Sequence, residues 1–200
     1  MIYLHRPRMR RNPFGGLDAR QLPDIVQPRP FTDEVRQHIR AGGRRALQFI
    51  GRQGRGKTTH LRLLAGEFPE GSLHMLPRES SEEAMLADPS PLLFVDSIHH
   101  LSFAGRRALF RKDAFIVFTT HYTRWPACRS VGMPLTSYRF RGLTVPEMTA
   151  IIRARTQDAM EDPGERWAID EDAVQSLVRK FGDDYRGILN YLYQHTDLPA

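Results

Sequence analysis

Six residues that could together hold a phosphate stand in one stretch, GRQGRGKTT: Gly51, Gly54, Gly56, Lys57, Thr58 and Thr59, with Arg55 among them. Gly51, Gly56, Lys57 and Thr58 meet the spacing G-x-x-x-x-G-K-[ST] without a gap. Glycines let successive backbone N–H groups turn inward around oxygens, and a helix that starts at the end of the loop adds partial positive charge. At this spacing a lysine reaches the β- and γ-phosphates of a nucleotide, and the following hydroxyl binds Mg²⁺. Only Lys57, Lys112 and Lys180 are lysines among 29 basic residues, so a compact ammonium in place of a planar fork at position 57 is informative.

A carboxylate and a hydroxyl complete the constellation. Asp96 ends the apolar run PLLFVD. In open α/β sheets the carboxyl ends of strands face the ligand crevice, so Asp96 is expected beside the phosphate loop, holding the Mg²⁺ shell. A second buried run ends in FTTH, residues 118–121. Thr120 is the choice there for touching the γ-phosphate or the attacking water, with Thr119 and His121 as alternates. Ser97 follows Asp96, and a serine hydroxyl does not accept a proton unaided at neutral pH. His99, His100 and Glu83 are candidates to substitute, though the sequence does not place them.

These residues need strands and helices in alternation. ALQFI (46–50) is a short apolar run ending at Gly51, and KTTHLRLLAGEF (57–68) carries Leu61, Leu64 and Phe68 at helical spacing. Strands are expected at 72–76, 91–96, 114–120 and 136–143. Helices are expected at 32–42 with Thr32 as N-cap, at 80–88 with a serine N-cap, and at 103–111. Continuous apolar runs alternating with helices imply a parallel sheet buried on both faces. After Leu143 the pattern turns wholly helical. Thr144 and Glu147 form a capping box, and three amphipathic stripes follow.

The expected organisation is a basic, proline-rich arm (1–30), an α/β core (31–143) and a small helical appendage (144–200). Forty per cent hydrophobic residues suffice for a globular core. No apolar stretch is long enough for a membrane helix, and the basic N-terminus lacks the apolar segment of a secretory signal. With Cys128 as the single cysteine no intrachain disulfide is available, and a reducing, cytoplasmic location is expected.

Taken in order, these segments resemble the AAA+ branch of P-loop ATPases over most of the chain. GRQGRGKT resembles Walker A, LLFVD resembles Walker B, and FTTH resembles the sensor 1 region. LPDIV resembles the segment that brackets adenine, here with Ile25 and Val26. LTVPEMTAIIRAR resembles the start of the helical lid. FGDDYRGILNYL resembles the sensor 2 helix, whose arginine, here Arg186, points at the γ-phosphate.

The resemblance implies a five-stranded parallel sheet of order 5-1-4-3-2 with a C-terminal helical lid. It also implies ATP and Mg²⁺ as ligands, ATP hydrolysis coupled to lid motion, and assembly into homo-oligomers. An arginine finger is expected at Arg129, with Arg124 and Arg139 as alternates. The family's usual glutamate after the Walker B aspartate is replaced by Ser97, which leaves open an ATP sensor with little turnover. A small-molecule P-loop kinase is a further alternative, disfavoured because the helices follow the last strand. DNA is a candidate partner through the arginine-rich arm and through HYTRWPACRS, where aromatics alternate with arginines.

Overall fold

The computed structural model describes residues 8–76, 82–162, 164, 170–182 and 184–196. In chain order the helices and strands are α1 (Leu22–Ile25), α2 (Thr32–Ala41), β1 (Arg45–Ile50), α3 (Lys57–Glu67), β2 (Ser72–Met75), α4 (Glu83–Ala87), β3 (Leu92–Asp96), α5 (Phe103–Arg111), β4 (Phe115–Thr120), α6 (Trp125–Arg129), β5 (Leu135–Arg139), α7 (Val145–Ala159), α8 (Glu171–Phe181) and α9 (Tyr185–His195). The chain divides into two compact units: Pro28–Phe140, and Met1–Gln27 together with Arg141–Ala200.

The unit 28–140 is built on a parallel sheet ordered β2-β3-β4-β1-β5, which is the expected 5-1-4-3-2 read from the other edge. Strand alternation sorts its core into two layers. Leu47, Phe49, Phe94 and Val117 point to the face covered by α2 and α3, where they meet Val35, Ile39, Leu61 and Leu64. Ala46, Leu93, Val95, Ile116 and Phe118 point to the other face and pack with Leu109 and Phe110 of α5 and Cys128 of α6. Both faces being buried explains why β3 and β4 read as unbroken apolar runs.

Boundaries differ from expectation in small, explicable ways. Thr32 is the first residue of α2 and not its cap. Its hydroxyl accepts from the Arg29 N–H at 2.8 Å, which fixes the turn before the helix. α4 is shorter than 80–88, with Glu82 at its N-cap; Ser80 and Ser81 lie outside the described residues. β5 stops at Arg139, although the Phe140 N–H still donates to Ile50 at 2.8 Å.

In the other unit the Thr144–Glu147 capping box opens α7 as expected. Met148 and Ile152 of α7, Val174 of α8, and Ile188 and Leu189 of α9 enclose a small core. The arm supplies its sixth buried residue, Phe14. Arg8 to Glu161 runs as a short antiparallel pairing: the Arg10 N–H donates to Ala159 at 2.8 Å and the Glu161 N–H to Arg8 at 3.0 Å. Arg155, almost fully buried, donates through Nη1 to the carbonyls of Pro13 at 2.8 Å and Gly15 at 3.0 Å, and through Nε to the Tyr185 hydroxyl at 3.2 Å. Arg11 pairs with Asp158, which also accepts from Gln21 at 2.7 Å. The arm from residue 8 onward is therefore part of a folded unit, and Arg10 and Arg11 are spent inside it. Among the described residues no helix is long and apolar enough to cross a membrane.

Candidate functional site: the phosphate loop and the strand ends

β1 delivers the chain to Gly51 and α3 takes it up at Lys57, so the glycine stretch is the connection between a buried strand and a helix N-terminus. Gly54 and Gly56 hold φ of 76° and 80°, the left-handed region that admits glycine at little cost. Gly51 is required for a different reason. A Cβ there would stand 2.5 Å from the Phe140 carbonyl oxygen. Gly51→Ala is expected to cost about 1–3 kcal/mol, the penalty of overpacking against backbone. It should also lift the loop from β5. A denaturant midpoint unchanged from wild type would contradict this.

Lys57 is buried, and its Nζ donates to the carbonyls of Gly51 and Arg52, both at 2.7 Å. The ammonium thus lies inside the curl of the loop. The Thr58 hydroxyl donates to Asp96 Oδ1 at 2.8 Å, which joins the start of α3 to the end of β3. A hydroxyl and a carboxylate in contact are the hard oxygen donors that Mg²⁺ prefers, so the donor set fits that ion.

At the end of β4 the hydroxyl on Asp96 is that of Thr119, donating to Oδ1 at 2.6 Å and accepting from the Ser97 N–H at 2.8 Å. The Thr120 hydroxyl turns the other way and donates to the Tyr122 carbonyl at 2.9 Å. Strand parity explains the choice. Thr119 shares a face with Val117, and Asp96 with Phe94; both are on the α3 side. Thr120 belongs to the opposite face. Ser97 takes a left-handed conformation (φ 59°), the one non-glycine residue with positive φ among the described residues, and its Oγ donates to Asp96 Oδ2 at 3.1 Å. Strain of this kind collects at functional sites.

Three histidines border these strand ends. His121 Nδ1 lies 3.2 Å from the Gly51 carbonyl, the same oxygen that Lys57 contacts. His99 sits in the 3-10 turn Ile98–His100 that follows Ser97. Its ring lies 4.8 Å from that of His121 and 4.2 Å from that of His100, centroid to centroid. Burial, followed by the nearby charges of His100, His121 and Arg124, pushes the His99 pKa down to about 4, so its ring is neutral at physiological pH.

The remaining candidates fall elsewhere. Arg129 is exposed and stacks over Trp125 at 4.8 Å. Cys128 is buried, and desolvation pushes its thiol up to about 12, which makes it inert. Ile25 is buried and Val26 half-buried in the other unit, and Arg186 lies exposed on α9. The first turn of α3, KTTHL, and the strand end LLFVD are thus brought together, and the β4 hydroxyl in contact with Asp96 is that of Thr119.

No family model matches the sequence, and no curated protein matches it. Solved structures do. The chain is similar to the RuvB Holliday junction branch migration motor of Thermotoga maritima (20% identity, 74% of this chain, 53% of that chain, TM-score 0.53). It is similar to the Aeropyrum pernix ORC1 protein solved in complex with DNA (18% identity, 86% of this chain, 60% of that chain, TM-score 0.55). NtrX from Brucella abortus is a third (13% identity, 88% of this chain, 52% of that chain, TM-score 0.53). At these identities the likeness is one of fold. The chain spans between 52% and 60% of the length of these three structures.

Proposed function

The chain has the P-loop nucleoside triphosphatase fold, and on that premise we propose that it is an AAA+-type ATPase that binds ATP and Mg²⁺ at the loop Gly51–Thr59. The observation that carries this reading is the Thr58–Asp96 contact at 2.8 Å, directly beside a buried lysine in a left-handed glycine loop. Gly54, Arg55, Gly56 and Thr59 would present backbone N–H groups to the phosphates, and Lys57 would move its charge from two carbonyls onto them. Thr58 and Asp96 would hold Mg²⁺, which when bound neutralises charge on the phosphates. Thr119 keeps the Asp96 carboxylate oriented. By resemblance, Ile25 and Val26 serve adenine, Arg186 serves as γ-phosphate sensor, and Arg129 as the finger supplied to a second copy.

Asp96→Asn tests the metal half of the site. Removing the charge while keeping the shape should abolish the magnesium dependence of ATP affinity in calorimetric titrations. An Asp96→Asn variant that still gains affinity on adding Mg²⁺ would show that Asp96 is not the metal's partner.

A second reading, an ATP sensor with little turnover, is favoured by Ser97, which is bonded to Asp96 where the resembled family has a glutamate. DNA is the proposed partner of the exposed loop after β4. Tyr122 and Trp125 are 75% and 51% exposed, with Arg129 stacked on Trp125. Such pairs suit base stacking with phosphate neutralisation. The similarity to a protein solved on DNA supports this, and the clamping of Arg10 and Arg11 within the arm shifts it from the arm to the loop.

A further inference from the structure

Among the described residues, the buried side-chain nitrogens and oxygens without a hydrogen-bond partner are His99 Nδ1 and Arg124 Nε. Buried polar atoms are almost always satisfied, and an orphan in a native fold calls for an explanation. Both border the segment that follows β4, since the His99 ring lies 4.8 Å from that of His121 and Arg124 follows His121 by three residues. They are also complementary. A guanidinium Nε only donates, and a neutral imidazole with its proton on Nε2 accepts at Nδ1. One water between them would satisfy both, as donor to one and acceptor from the other. The cluster abuts the phosphate loop, because the His99 ring packs on His121 and His121 reaches the Gly51 carbonyl.

Resting on the ATP reading above, we propose that His99 and Arg124 hold the water that attacks the γ-phosphate, with His99 as its proton acceptor in place of the glutamate that Ser97 supplants. The water oxygen forms the new bond to the γ-phosphorus. The bond from that phosphorus to the bridging oxygen breaks, and its electron pair leaves with ADP. The proton of the water passes to His99 Nδ1 and from there to solvent. A neutral ring with a pKa near 4 is a base of about the strength of a carboxylate, the group used for this task elsewhere. Arg124 is positioned for the role from the loop side. Its backbone N–H donates to Gln48 Oε1 at 3.0 Å, and Gln48 in turn donates to Thr123 at 3.3 Å and to Ser137.

His100 on the same turn, His121 after β4 and Arg124 before α6 all disfavour a cation on His99; Asp96 at the end of β3 favours it. Protonation would remove the acceptor, so hydrolysis should be flat between about pH 6 and 8 and fall only towards pH 4. A free histidine would lose activity around 6.5.

The test compares wild type with His99→Gln and His99→Ala. Calorimetry measures ATP, ADP, and ADP with aluminium fluoride, a mimic of the in-line transition state. Single-turnover phosphate release measures the chemistry. ATP and ADP affinities are expected to stay within about twofold. Phosphate release should fall by about 10²–10⁴, the usual worth of a general base. Binding of the aluminium fluoride complex should weaken in step, and added imidazole should restore part of the rate to His99→Ala. Phosphate release near the wild-type rate in His99→Gln with ATP bound overturns the proposal, as does undiminished binding of the transition-state mimic. Wild type that binds ATP and never releases phosphate also overturns it while leaving the ATP site standing. Wild type that binds no ATP overturns both.

Discussion

Lys57→Ala protein binds ATP more than about a hundredfold more weakly than wild type in calorimetric titration. The ammonium donates to two carbonyls, Gly51 and Arg52, each at 2.7 Å. Moving to phosphates exchanges two hydrogen bonds to neutral oxygens for two to charged ones. Bonds to charged groups contribute about 1.5–3 kcal/mol each against about 1 for neutral pairs. When truncation removes both, the expected deficit is about 3 kcal/mol, and every 1.4 kcal/mol is tenfold in affinity. Folding should suffer less, because the carbonyls released by truncation sit in a loop that water can enter. An affinity within tenfold of wild type, in protein that melts normally, would mean that the loop does not grip a triphosphate through this lysine.

The second large effect is on stability. Arg155→Ala removes a buried side chain that bonds Pro13, Gly15 and Tyr185. Each carbonyl left buried without a donor costs about 1–3 kcal/mol. The truncated side chain leaves a void as well, and the sum is expected at about 3–5 kcal/mol. Arg155→Met separates the two contributions. It refills much of the volume and restores no donor, so it should recover the packing share alone. Urea midpoints measure both. A loss below about 1 kcal/mol in Arg155→Ala would show that the arm needs no such clasp.

Local chemistry made much of the site legible. The glycine spacing, the rarity of lysine and the carboxylate closing an apolar run all depend on neighbours close in sequence, and the strand order followed from the resemblance those motifs carry. The choice between Thr119 and Thr120 did not follow, because it depends on the register of β4 against β3. Leu92 faces Phe115, so Asp96 is level with Thr119, one step beyond the paired Val95 and Phe118. Had that register been in hand, the period of two would have picked Thr119. Thr32 shows the same limit on a smaller scale, since its partner is the backbone of Arg29 and both cap and first turn look alike in sequence. The arm was the least legible part. Arginines and prolines read as a basic arm open to DNA until Phe14 is seen buried among Met148, Ile152, Val174 and Ile188.

That clasp bears on how the polypeptide acquires its structure. The stretch 28–140 is continuous, and two of its four strand pairings, β2 with β3 and β3 with β4, join successive strands. The remaining unit is assembled from segments on either side of it, so the pairings that join its two segments span well over a hundred residues, as between Arg10 and Ala159. Loop closure on that scale is slow compared with local pairing. During vectorial synthesis Phe14 emerges long before α7 exists, and it has nothing to bury against until Met148 and Ile152 have followed. The helical unit is therefore the last part to form, and a nascent chain halted before residue 145 carries a finished phosphate loop with Phe14 and its flanking arginines still in water.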